Sequence, residues 1–142
     1  MTASRARNEF PSLQDAAAIH EPTVIRRRRG PSAVLISDED LRAILERCTF
    51  APQVFREAGM VSIWLPELAI WGRGASFAEA RDDLLDEVDQ LLALLRADAR
   101  FRTSPEMVKK LPWVYRLDLA NDDDERVGIL LGPPSPPDRD LP

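Results

Sequence analysis

The sequence predicts an α+β protein made of two small modules, on the strength of three observations. Residues 1–50 read as helix, hairpin, helix, with four consecutive arginines, Arg26, Arg27, Arg28 and Arg29, at the hairpin tip. Residues 51–131 open with short alternating, strand-like runs and pass into one long amphipathic helix. The charge divides along the same line: residues 1–50 hold eight basic side chains against seven acidic, and residues 51–142 hold eleven against seventeen. A chain of 142 residues has room for one ordinary domain or two small ones, and 44% hydrophobic content is that of a folded protein.

The first module begins with a helix. Phe10, Leu13, Ala16 and Ala17, continued by Ile19, hold one apolar face at helical spacing, and the Ala-rich "DAAA" favours helix. Pro11 marks either its first turn or a strained interior. Thr23 to Arg27 and Ala33 to Ser37 form two apolar, β-branched strands joined through Gly30-Pro31. Ser37 ahead of Asp38, Glu39 and Asp40 caps a second helix, whose acidic first turn suits the positive end of the helix dipole. Leu41, Ile44 and Leu45 give that helix its buried face. A boundary is expected near "CTFAPQ", Cys48 to Gln53, where the helical pattern stops before Pro52.

In the second module, "QVFREAGMVSIWLPEL" supplies strand-like runs on either side of Ala58-Gly59, with Val61, Ile63 and Leu65 alternating with Ser62 and Trp64. "AIWGRGAS" reads as a third strand closing in a glycine turn. Ser76 with Glu79 makes a capping box, and Phe77, Ala80, Leu84, Val88, Leu91 and Leu95 recur at three- and four-residue steps, so a long helix follows. Ser104-Pro105 starts a short helix, and "WVYRLDLANDDDERVGILL" reads as two strands about an Asn/Asp turn. Residues 132–142 have too much proline and too little apolar surface to pack, and are expected to form a disordered, polyproline-like tail.

Composition removes several function classes. No run approaches 18 consecutive apolar residues, so no membrane partner is expected. "MTASRARNEF" lacks the apolar run of a secretory signal, and the single cysteine, Cys48, excludes an internal disulfide, so a cytoplasmic protein is expected. With His20 the only histidine, zinc spacing and a Ser/His/Asp triad with a spare base are excluded. The clustered carboxylates Asp82, Asp83, Asp86, Glu87 and Asp89 have no accompanying base, nucleophile or phosphate loop. "GRGAS" lacks both the Rossmann spacing and the P-loop lysine, and "NDDDE" lacks the glycine and terminal glutamate of a calcium loop. The expectation is no enzyme, with no catalytic residue, metal site or cofactor. Cys48 reads as a small buried residue, His20 as a helix C-terminal residue favourable to the dipole, and Trp64, Trp71 and Trp113 as core or interface packing.

The arginines at the hairpin tip repel one another and gain nothing for folding, so they need solvent or a polyanion. A solvated loop that discourages strand-edge aggregation is one reading. Phosphate contact, with counterion release and salt-dependent binding, is the other. Arg5 and Arg7 would extend such a patch, and Asn8 could hydrogen-bond a base edge or a phosphate. The acidic helix has its own pair of readings: a solvated outer face, or a docking surface for a basic partner.

Residues 4–47 resemble the prevent-host-death (Phd) antitoxins of bacterial toxin–antitoxin pairs. The matching features are "RARNEFPSLQDAA" in the first helix, "TVI" and "PSAVLIS" flanking a basic turn, and "DEDLRAILE" in the second helix. Residues 53–95 resemble a HicB-type antitoxin domain through "VSIWLPEL" and "GRGASFAEARDDLLDEV". The resemblance implies a Phd-like dimerisation and DNA-binding module over residues 1–50 and a HicB-like, toxin-binding module with a C-terminal extension over residues 51–131. It implies a homodimer through the N-terminal module, with Arg5, Arg7 and Asn8 facing operator DNA and Arg27 and Arg28 beside them. With the charge argument added, the DNA-contacting set is Arg5, Arg7, Asn8, Arg26, Arg27, Arg28 and Arg29. The resemblance also implies that the downstream region covers a cognate protein toxin, expected to be basic, and Asp82, Asp83, Asp86, Glu87 and Trp113 are the contacts expected there. The function so expected is that of a type II antitoxin that neutralises its toxin by direct binding and represses its own operon. The alternative is a stand-alone DNA-binding transcriptional repressor without a toxin partner. An antitoxin that leaves DNA alone, its arginines only keeping the hairpin edge soluble, is a further possibility. A small enzyme would need carboxylates converging in a pocket.

Overall fold

In the computed structural model, which describes residues 1–132, the chain forms two units, Met1–Ile44 and a second that starts at Leu45. Pro11 decides how the first unit begins. It has no N–H to give the Arg7 carbonyl and its ring would press on that oxygen, so the expected single helix is two. They are α1 (Ala3–Asn8) and α2 (Phe10–Ala18), broken at Glu9, with Pro11 in the first turn of α2. The Thr2 hydroxyl caps α1 by accepting from the Arg5 N–H. At the other end of α2, His20 takes a left-handed φ of 68°, a position usually given to glycine, and the N–H groups of His20 and Glu21 return to the carbonyls of Ala17 and Ala16.

The hairpin strands are β1 (Thr23–Ile25) and β2 (Ala33–Leu35), paired antiparallel with Val24 opposite Val34. Each is two residues shorter than the sequence suggests. Arg26 leaves the ladder because its N–H donates to the Met1 carbonyl (2.7 Å), and Thr2 bridges to Arg26 in parallel. Ser37 leaves β2 because its hydroxyl is spent on the Asp40 N–H (3.1 Å) at the start of α3 (Asp38–Leu45). The buried apolar side chains of this unit are Ala6, Leu13 and Ala17.

The second unit is built on a meander of β3 (Gln53–Glu57), β4 (Met60–Leu65) and β5 (Ile70–Gly74), antiparallel in the order β3-β4-β5. Ala58 and Gly59, at φ 47° and 74°, make the two-residue turn whose left-handed pair matches the strand twist. Alternation in β4 holds: Val61, Ile63 and Leu65 are buried, and share one core with Ala80, Leu84, Val88, Leu92 and Leu95 of α4 (Phe77–Ala97). The expected glycine turn is not a turn. Gly72 and Gly74 lie within β5, and a Cβ on Gly72 would come within 2.3 Å of the Ala80 carbonyl oxygen and 2.6 Å of the Leu84 Cβ. These glycines let the helix rest directly on the strand. Ser76 caps α4, accepting from the Glu79 N–H (3.2 Å), while the Glu79 carboxylate accepts from the Ala75 N–H (2.8 Å).

After α4 come α5 (Ala99–Arg102), α6 (Pro105–Val108), α7 (Leu111–Asp118) and α8 (Asp123–Leu131). The expected C-terminal pair of strands is therefore wrong. Tyr115, Leu117 and Leu119 alternate as a strand would, but Tyr115 is exposed while Val114 and Leu117 are buried, which is a helical step of three. Asp122 then caps α8 by accepting from the Glu125 N–H (2.8 Å), and the Glu125 carboxylate reaches back to the Asn121 N–H (2.7 Å). Met107, Val114, Leu117 and Leu130 complete the core around Ile63 and Leu84. The expected tail, Gly132 apart, lies outside the described residues.

Candidate functional site

The first unit concentrates positive charge. Thr2 bridges to Arg26, so α1 starts at the foot of the arginine loop, and Arg5 follows within one helical turn. Arg7, Asn8 and Arg26 to Arg29 are exposed, and the loop arginines have no ion-pair partner among the described residues. Arg5 is also exposed, but its Nε donates to the Glu9 carboxylate at 3.0 Å, which offsets part of its charge. Behind the loop the hairpin shows an apolar face, with Val24 44% and Val34 57% exposed, directly opposite one another. His20 joins α2 to α3 through Nδ1, 2.6 Å from Asp40 Oδ1. That hydrogen bond, then the Asp40 charge, raises the imidazole above its ordinary 6.5.

The expected toxin-contacting residues of the second unit divide into two groups. Asp82 and Asp86 are exposed on α4, and Glu87 is half-buried. Asp83 is spent on the fold, accepting from the Arg73 N–H at 2.8 Å and so tying α4 to β5. Trp113 is spent likewise: its Nε1 donates to the Thr49 carbonyl at 2.9 Å and its ring packs at the core's edge. It stands in α7, not in a strand. Cys48 is half-buried, and its carbonyl accepts from Arg116 at 2.8 Å.

Two surfaces were not singled out from the sequence. On the open face of the sheet, Trp64 and Trp71 face one another across β4 and β5 with ring centroids 4.6 Å apart. Phe55 lies 5.9 Å from Trp71, and the Arg73 guanidinium stands 5.3 Å over the Trp71 ring. Strand alternation alone puts Phe55, Trp64 and Trp71 on one face, once their register is known. The other surface is a groove of about 900 Å³ with walls from α4 and α8 and Arg56 of β3 on the sheet side. Its apolar lining is Phe77, Leu85, Val127 and Leu131, and Gly128 stands bare in the α8 wall. Reading "NDDDERVGILL" as a capped helix would have revealed this wall; reading it as a strand hid it.

Among the described residues no group of three or more His, Cys, Asp or Glu is placed to hold a metal ion, and no helix is long and apolar enough to cross a membrane. A family model named PHD-like, described as "Antitoxin of toxin-antitoxin, RelE / RelB, TA system", matches residues 1–131. A solved structure described as an antitoxin part of a toxin/antitoxin system from Syntrophomonas wolfei subsp. wolfei aligns with a TM-score of 0.79 over 92% of this chain and 94% of that one. At 18% sequence identity this likeness is one of fold. No curated protein matches.

Proposed function

The chain belongs to this family of toxin–antitoxin antitoxins, and from that premise we propose that it neutralises a cognate protein toxin by direct binding and represses its own operon by binding operator DNA. The work is stoichiometric and divides by unit. The first unit is a Phd-like head that pairs with a second copy through the Val24–Val34 face of its hairpin. The second unit is a HicB-like body that covers the toxin's working surface from its acidic side, where Asp82 and Asp86 are the expected contacts still exposed on α4.

One observation carries the DNA half: four exposed arginines sit in a row at the foot of α1, in a chain of net charge −5. Clustered cations without internal partners cost folding energy unless a polyanion collects them, and a two-fold dimer would present two such clusters to a palindromic site. The acidic remainder repels DNA and confines the contact to the head.

The test has two arms. Tagging only the protein encoded by the adjacent gene should bring this chain down as a stable complex that lifts growth arrest; no complex would end the neutralising role. Titrating upstream DNA with salt should give a steep loss of affinity, and Arg27→Gln with Arg28→Gln should lower the log–log slope by about one per phosphate contact removed. An unchanged slope would return the arginines to a solvated loop.

A further inference from the structure

We propose that the groove between α4 and α8 seats a helix of the cognate toxin, about two turns long, that packs its backbone against Gly128. This docking site presupposes the antitoxin reading and gives it a location.

Gly128 is the starting point. It lies inside α8, where glycine costs about 1 kcal/mol against alanine. Nothing in the fold explains it: a Cβ built there meets no atom within 4 Å, and its backbone is not left-handed. Gly72 makes the contrast, since there a Cβ would strike α4. What Gly128 does is keep the α8 wall low where it lines the groove, and a missing Cβ lets another backbone approach closely.

The lining gives the occupant's chemistry. Phe77, Leu85, Val127 and Leu131 are half-buried apolar side chains that a helix's apolar stripe would cover. A helix about 10 Å across rises about 5.4 Å per turn, so two turns have roughly the volume of the groove. The charges select further. Arg81 and Asp82 face each other at 3.3 Å, and Asp123 lies 3.9 Å from Arg126, which Asp89 holds at 2.6 Å. That leaves Asp124 on α8 and Arg56 on β3 without a partner among the described residues. The occupant therefore offers a lysine or arginine toward α8, and a carboxylate or its own carbonyl end toward β3.

The full-length chain and the toxin encoded beside it provide the test. Gly128→Ala should raise the melting temperature of the free chain by about 2–4 °C, as a helix-interior glycine replaced without strain does. The same substitution should weaken toxin binding roughly tenfold by raising the wall. Asp124→Lys should also weaken it roughly tenfold, whereas Glu106→Lys, an equal charge change on α6, should not. If the wild-type complex forms and both groove variants bind as wild type does, the toxin docks elsewhere: the groove proposal falls and the antitoxin reading stands. If the wild-type chain forms no complex, both fall together. If Gly128→Trp changes the sedimentation of the chain alone, the groove holds a second copy, and the proposal is overturned.

Discussion

The two units meet one requirement, burying enough apolar surface, in opposite ways. Among the described residues the second encloses a core of thirteen buried side chains, with Ile63, Leu65 and Leu117 fully withdrawn from solvent, and its long helix α4 is both capped by Ser76 and seated directly on Gly72 and Gly74. The first buries Ala6, Leu13 and Ala17, and leaves Ile19 73%, Val34 57% and Ile44 60% exposed. A unit of this size is near the limit at which a core sustains itself. The contrast teaches where function and folding are joined. The second unit is a finished scaffold whose free surfaces are available for binding. The first is a head whose own surface is unfinished, which is the physical case for a second copy and for DNA.

The largest expected effect breaks the finished half. Gly72→Ala puts a Cβ into backbone atoms of α4 that have no room to yield, so the destabilisation should be about 3 kcal/mol, and the main thermal transition should drop by roughly 10 °C. A melt within a degree or two of wild type would mean that α4 does not rest on β5. The next effect acts on the unfinished half. Val34→Asp places two carboxylates near the two-fold seam of the proposed dimer and should weaken association roughly a hundredfold. Sedimentation at micromolar concentration reads it, with the main melting transition unmoved. A dimer that survives Val34→Asp would place the seam elsewhere.

The same contrast explains how much was legible in the sequence. In the second unit, the alternation of Val61, Ile63 and Leu65 and the Ser76–Glu79 box were readable because they are local signals that the tertiary structure reinforces. The C-terminal helices are hidden in the sequence because Tyr115, Leu117 and Leu119 mimic a period of two, and the burial of Val114 shows which period wins. Gly72 and Gly74 look like turn residues in the sequence because a glycine's reason, for Gly72 the proximity of Ala80 and Leu84, lies across space and not along the chain. Of the candidate site, the residue types were legible and their availability was not. Asp83 is indistinguishable from Asp82 in sequence, yet it accepts from the Arg73 N–H and ties α4 to β5, while Asp82 pairs only with the neighbouring Arg81 among the described residues; Trp113 is likewise held by its hydrogen bond to Thr49. In the first unit, the elements were legible but the break at Glu9 and the pairing of Thr2 with Arg26 were not, since the latter joins residues far apart in the chain.

The smallest effect sharpens the comparison by giving the head a pH dependence. His20 is the one histidine, and its Nδ1 lies 2.6 Å from Asp40, joining the end of α2 to the start of α3. The hydrogen bond to Asp40 raises the folded-state pKa above the unfolded 6.5, with the charges of Asp40 and Glu39 adding to it. A group raised in this way contributes stability that is fully present below the unfolded pKa and is lost as pH rises through the folded pKa. The first unit should therefore be tighter at pH 6 than at pH 8. The effect is small, because the imidazole side chain is 60% exposed and salt screens it. His20→Asn is the informative variant, since asparagine tolerates the left-handed backbone that His20 adopts and carries no group that titrates between pH 6 and 8. Amide exchange in α2 and α3, followed from pH 6 to 8 and corrected for intrinsic rates, should lose its extra slope in His20→Asn. Equal slopes in the two proteins would mean that the His20–Asp40 contact does not hold the head together in solution.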